Sequence, residues 1–287
     1  MNPDPAGLVE RTFSAHSRVR HPGLFLHAMA QDLWRARELA WRLFLREISQ
    51  RYRQSLLGLL WILVPPLITT FIFVFLNSRK ILNLEATDIP YPMYVMLGTL
   101  LWQIFTESVL APLKAFDGCV AIMIKINMPR EAPMLAGVAQ VLFFMGLQLV
   151  LAVGCLLWFG VPFSPSLLLA PLAILSLVAM GTALGLFLVP LGGLYKDVGE
   201  GSAMLLRLLF FLTPVVYPPP QGWPWSLMVS LNPVVPVLQG ARDLLSKGAM
   251  TDPSAFWLAS GGGVAALVVA LIFYRIAIPV VLERMGA

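Results

Sequence analysis

Six apolar stretches, most of them close to the roughly twenty residues needed to span a bilayer, constrain the fold more than any other feature of this chain. They run over residues 56–76, 91–111, 134–159, 166–191, 202–217 and 254–278. A soluble domain usually carries about 25% charged residues. Here 12% are charged, 58% are hydrophobic, and the mean hydropathy is +0.79. So few charges cannot solvate a globule of 287 residues. The sequence therefore predicts an all-α integral membrane protein with six transmembrane helices.

The net charge of +5 invites comparison with nucleic-acid binders, but the charge distribution argues otherwise. Nine of the twenty Lys and Arg residues precede residue 56, beside the first span. That pattern reads as a flank on an anionic cytoplasmic leaflet. With the N-terminus inside, sixteen basic residues fall on the inner side and four, Arg79, Lys80, Arg242 and Lys247, on the outer. The positive-inside rule then predicts both termini in the cytoplasm. The first fifty or so residues contain no apolar core of signal-peptide length. Cys119 and Cys155 are expected to be free thiols.

Three parts are predicted: a cytoplasmic tail over 1–30, an amphipathic helix over 31–53, and a six-helix unit over 54–287. On a helical projection, Arg35, Arg42, Arg46 and Arg53 lie within roughly 40° of one another. Trp34, Trp41, Phe44, Leu45 and Ile48 fall on the opposite side. This is the pattern of a helix in the membrane interface. The alternative is a surface helix of a small soluble domain, but the adjoining span and the two Trp favour the interface. Pro65-Pro66 is expected to kink the first span. Gly181 and Gly185 have the GxxxG spacing that permits close helix packing.

Two connections stand out. Residues 112–133 form an inner loop that is half apolar, as expected of a short helix packed on protein. Residues 218–253 hold two apolar pieces too short to span, which predicts a re-entrant hairpin covered by protein.

Catalytic signatures are absent from the sequence. His16, His21 and His27 all lie in the tail, and neither HExxH nor GxxxxGK[ST] occurs. Neither a metal site nor a catalytic residue is predicted, and energised work would need a separate engine. Glu107 and Arg207 are the intramembrane ionisable residues. They either pair or snorkel separately to the headgroups. The aromatics of the spans suit lipid anchoring, helix packing or the walls of a carbohydrate pathway, where a π face meets sugar C–H groups.

Several segments in order then resemble one family. Leu45-Arg46-Glu47-Ile48 and Arg51-Tyr52-Arg53-Gln54-Ser55-Leu56-Leu57-Gly58 lead into Leu60-Trp61 and Pro65-Pro66. Tyr195-Lys196-Asp197-Val198 precedes Phe210-Phe211-Leu212-Thr213-Pro214-Val215-Val216-Tyr217-Pro218. Leu231-Asn232-Pro233 and Ala241-Arg242-Asp243 follow. Over about residues 40–280 the set resembles the ABC-2 type polysaccharide export permeases.

The resemblance implies a type V ABC-2 fold in the bacterial cytoplasmic membrane. It also implies a homodimer working with two copies of a separate ABC ATPase, which holds the ATP and Mg. The implied cargo is a lipid-linked polysaccharide such as O-antigen, capsule or teichoic acid. By the same resemblance, Trp61, Phe71, Tyr91, Tyr94, Phe210 and Tyr217 would line the conduit. Arg46, Arg53, Asp117, Lys125, Arg130, Lys196 and Asp197 would couple to the ATPase, while Asn232, Pro233 and Arg242 would form an outer gate. Rival readings are an ABC-2 exporter of a drug or lipid, a polytopic lipid-linked transferase, and a proton-coupled flippase.

Overall fold

The computed structural model describes residues 22–52, 58–81, 87–126, 128–162, 164–220 and 222–286. Among these residues the only regular elements are helical. Nine α-helices follow one another: α1 (Pro22–Tyr52), α2 (Val64–Ser78), α3 (Tyr91–Lys125), α4 (Glu131–Trp158), α5 (Ala170–Leu194), α6 (Asp197–Leu212), α7 (Trp225–Leu231), α8 (Val234–Ser246) and α9 (Pro253–Gly286).

Helix α5 is the central post, packed against α3, α8 and α9. Its GxxxG pair makes the α3 contact possible. A Cβ on Gly181 would sit 2.6 Å from Ser108 Cβ, and one on Gly185 would sit 2.4 Å from the Val109 carbonyl oxygen. Without those side chains the two backbones approach closely, which is how small residues replace the missing hydrophobic drive between helices in lipid.

Among the described residues, four apolar helical stretches are long enough to cross a bilayer: Gly58–Ser78, Glu131–Trp158, Pro165–Leu194 and Pro253–Met285. The other two expected spans fall in α3 and α6. Helix α3 is interrupted by polar residues along one side, and α6 has 16 residues, about 24 Å at 1.5 Å each.

Two local expectations are corrected. Pro65 and Pro66 do not kink a helix. They occupy the first turn of α2, after a 3₁₀ turn over Gly58–Ile62, where no intrahelical N–H is required. Residues 112–125 are not a loop but the last turns of α3. Leu113, Phe116, Cys119 and Met123 recur at helical spacing and join a buried cluster with Leu43 and Phe44 of α1, Leu186 of α5 and Ile278 of α9. Part of the apolar character is thus met within the chain, while Ile124 and Ile126 remain exposed.

Helix α1 is longer than the expected 31–53 and starts at Pro22. It has three sides. Ala36, Ala40, Leu43 and Phe44 face the bundle, with Phe44 edge-on to Phe143 of α4 at 5.9 Å. Phe44 is therefore part of the protein core and not of a lipid face. Trp34, Trp41 and Leu45 remain exposed. Arg42 is also exposed and pairs with Glu38 at 2.7 Å. Arg275 of α9 ties the helix down by an ion pair to Asp32 and lies 3.9 Å from Glu131 of α4. Both cysteines are free and buried.

Candidate functional site: an amphipathic cavity and a side-chain latch

A cavity of about 930 Å³ opens between α2, α3, α4 and α6, at the upper end of the usual range for ligand sites. One wall is aromatic. Trp61 precedes α2, Phe73 is on it, and Phe210 and Phe211 come from α6. Phe210 stands edge-on to Trp102 of α3 at 6.1 Å and to Phe211 at 5.2 Å. Hydrogen-bonding groups come mainly from α3, where Thr99, Gln103, Thr106 and Glu107 share a stripe with Trp102, joined by Gln148 and Phe144 of α4. Gln148 Nε2 donates to Gln103 Oε1 at 3.0 Å. These polar groups explain why α3 is less apolar than a simple lipid-facing span. They point into a cavity, where such groups belong in a membrane protein.

Next to the cavity the chain leaves α6 and runs without helix through residues 213–217. Its carbonyls would be orphaned but for a latch of side chains. Arg242 of α8 donates Nη1 to Val215 O at 3.1 Å and Nη2 to Pro214 O at 3.4 Å. Tyr91 donates to Val216 O at 3.1 Å and Tyr94 to Tyr217 O at 2.9 Å. The Arg242 guanidinium also lies 3.7 Å from the centre of the Tyr94 ring. Asn232 donates to Thr213 Oγ1 at 3.0 Å and accepts from the Val234 amide at 3.0 Å, so it fastens α6 to the start of α8. Gly98 makes room for the segment, since a Cβ there would lie 2.2 Å from Val215 O. Lys247 closes this end by bonding Asp88 at 2.7 Å, which holds the Asp88 carboxyl below its usual range.

The family model for the ABC-2 type transporters matches residues 38–245, a stretch that contains every cavity-lining residue and Tyr91, Tyr94, Asn232 and Arg242 of the latch. The chain belongs to the ABC-2 type transporter family. It is similar to the O-antigen export system permease protein RfbA of Myxococcus xanthus, at 27% identity over 230 residues, 78% of this chain and 86% of the relative. A Klebsiella pneumoniae protein of the same name is 23% identical over 71% of this chain and 79% of its own length. The polysialic acid transport protein KpsM of Escherichia coli is 22% identical over 73% and 82% respectively.

Within this ABC-2 family chain the residues singled out from sequence separate into three places. Trp61 and Phe210 line the cavity, as do Glu107 and Arg207. Glu107 and Arg207 share it from α3 and α6, but Glu107 is ion-paired with Lys114, whose Nζ is 3.7 Å from Oε2. Phe71 lies off the cavity, 71% exposed and stacked on Phe75. Tyr91, Tyr94 and Tyr217 belong with Asn232 and Arg242 in the latch, and Pro233 starts α8 beside them. Arg242, counted from sequence among the outer-side charges, is 3% exposed, and it donates to backbone carbonyls.

The remaining candidates cluster at the end of the bundle that carries α1. Asp117, Lys125, Arg130, Lys196 and Asp197 are exposed there. Burial by neighbours pushes the Asp117 carboxyl up, and the charge of Lys196 partly opposes this. Arg46 turns inward, its Nη2 3.8 Å from Cys119 Sγ. Arg53 lies outside the described residues.

Sequence reading did not select Gln103, Gln148, Thr99 or Thr106 as site residues. The signal was present as polar residues inside two apolar spans, three of them on one side of α3.

Proposed function

We propose that this chain is the transmembrane subunit of an ATP-driven ABC exporter that moves lipid-linked polysaccharide across the bacterial cytoplasmic membrane. The observation that carries the proposal is the cavity, which brings aromatic rings and hydrogen-bonding side chains to one space in a chain of this family. A sugar presents C–H faces and hydroxyl edges together, and few other cargoes need both kinds of group. The names of its relatives, O-antigen export permeases and a polysialic acid transport protein, agree with that cargo class.

In this account α3 and α6 are the second and fifth of six spans, less apolar or shorter than the rest because they bound the pathway. The α7–α8 hairpin is re-entrant and sits outside. Its non-helical approach is tolerated at membrane depth because side chains satisfy its carbonyls. Both termini and α1 lie on the cytoplasmic side, with Trp34 and Trp41 in the interface. Two copies of the chain meet across α2 and α6, whose exposed apolar faces would otherwise meet lipid alone.

A separate ABC ATPase supplies the ATP and Mg chemistry. Its closure pushes on the inner tips of α3 and α6, where Asp117, Lys125, Arg130, Lys196 and Asp197 stand, with Arg46 and Arg53 of the α1 region beside them. The push parts the two halves and the glycan moves between them. The test is co-purification with the cognate ATPase, followed by ATPase assays with and without lipid-linked glycan. Stable association and stimulation by the glycan are expected. A chain that never binds the ATPase, or a complex indifferent to glycan, contradicts the proposal.

A further inference from the structure

Three consecutive residues of α9 hold three other parts of the chain. Phe273 lies against Phe187 of α5, with ring centres 5.5 Å apart. Tyr274 is 2% exposed and donates its hydroxyl to the Arg130 carbonyl at 2.7 Å, at the turn between α3 and α4. Arg275 pairs with Asp32 of α1 and stands 3.9 Å from Glu131 in the first turn of α4. Successive helix positions are rotated by about 100°, so a single turn of α9 reaches all three sides. The Arg130 residue is exposed although its carbonyl is held. Further along, α9 stays close to α5, where a Cβ on Gly193 would lie 2.8 Å from Val281 Cγ1.

Stability alone does not call for polar groups here. A buried ion pair is often no more stabilising than apolar side chains of similar volume, and the Arg275 and Glu131 side chains are each 15% exposed. What the polar grips add is direction. The hydrophobic effect is non-directional, whereas a guanidinium on a carboxylate and a hydroxyl on one carbonyl fix where each partner sits.

We propose that Tyr274 and Arg275 are positioning residues of the transport cycle: they yoke α1 and the α3–α4 turn to α9, so that both move as one body with the central post α5. The inference rests on the exporter reading, in which the ATPase closes on the tip of α3 beside α1, and it names how that push reaches the rest of the bundle. Asp32 is the anchor of the α1 arm, and the Arg130 carbonyl is the anchor of the other. The two α9 residues act through these elements and not on the cargo.

The test uses the full chain with its cognate ATPase in sealed proteoliposomes and reads lipid-linked oligosaccharide delivered per ATP hydrolysed. Asp32→Asn removes the charge that holds the α1 arm, and Tyr274→Phe removes the hydroxyl that holds the turn; each keeps its size. Either change should lower delivery per ATP about fivefold, the low end of the range for coupled sites, while the ATPase still co-purifies. The double variant should be no worse than the single ones, because a link cut at either end is cut; contacts that serve stability alone would add. A covalent bridge gives a second check. In an Asp32→Cys/Arg275→Cys protein, joining the two thiols with a short bis-maleimide should restore most of the delivery per ATP that the unbridged form has lost. The same reagent should leave the unmodified chain unchanged, since both of its cysteines are buried.

Single variants that deliver as much per ATP as the unmodified chain overturn the yoke, as do losses that add in the double variant. So does a bridged protein no better than its unbridged form. Each of these results leaves the exporter reading standing, because the unmodified complex still delivers. That reading fails instead if the unmodified complex hydrolyses ATP in the presence of the glycan and delivers none.

Discussion

Replacing Arg242 by Met removes the centre of the latch while keeping a long side chain in its place. The change leaves the Pro214 and Val215 carbonyls without donors. An unsatisfied buried polar group costs about 1–3 kcal/mol. Loss of the contact over the Tyr94 ring adds about 1 kcal/mol. Relief from burying a guanidinium returns part of this, so a net loss of about 2–4 kcal/mol is expected. At a few degrees per kcal/mol for a chain of this size, the Tm should fall by about 5–10 °C.

The assay is thermal unfolding in nanodiscs, followed by tryptophan fluorescence. Gly98→Ala gives an independent check, because its Cβ would press on the same Val215 carbonyl. Combining the two changes should cost less than their sum, since both release one segment. An Arg242→Met protein that melts within about 1 °C of the unmodified one, with additive effects in the pair, would refute the latch.

Other consequences are open to simpler measurements. Gly185→Leu should abolish recovery of folded protein by size-exclusion chromatography, because its side chain would meet the Val109 backbone; Gly154→Leu, with nothing within 4 Å, should be recovered normally. Asp88 has its pKa lowered by the Lys247 hydrogen bond, so its contribution is full above the ordinary carboxylate value near 3.9. It should disappear as pH falls below that value through the depressed one, and a pH series of melting curves should show Asp88→Asn losing this acid-side step. Alanine at both Lys125 and Arg130 should reduce co-purification of the ATPase severalfold while the melting temperature stays put; full recovery of the complex would remove these two residues from the docking surface.

Much of the architecture was legible from hydropathy because lipid-facing helices must be apolar along their whole length. The spans in α4, α5 and α9 announce themselves in this way, and the GxxxG pair marked a contact that the structure uses. Helix α3 was harder to read. Its polar stripe faces a cavity and its inner turns bury Phe116, Cys119 and Met123 within the chain, so hydropathy ends the helix too early and turns the remainder into a loop.

Aromatic content alone did not separate the roles of the candidate site residues. Trp61 and Phe210 look onto the cavity, Phe71 looks away, and the three tyrosines hold backbone through their hydroxyls. Those differences depend on helix rotation and on where the carbonyls of 214–217 come to rest, which no local pattern records. The carbonyl-binding role of Arg242 was hidden for a similar reason. A basic residue in an outer connection reads as solvent-exposed, yet non-helical backbone at membrane depth needs donors, and a guanidinium supplies several.

The central claim, a glycan conduit moved by a partner's ATP hydrolysis, is tested most directly in sealed proteoliposomes containing the chain and its cognate ATPase. The measurement is the appearance of a lipid-linked oligosaccharide on the face opposite the ATPase, detected by a lectin that cannot cross the membrane. The account predicts transfer that requires ATP, Mg and both proteins. Transfer by the chain alone, or none when the assembled complex hydrolyses ATP normally in the presence of the glycan, would contradict it.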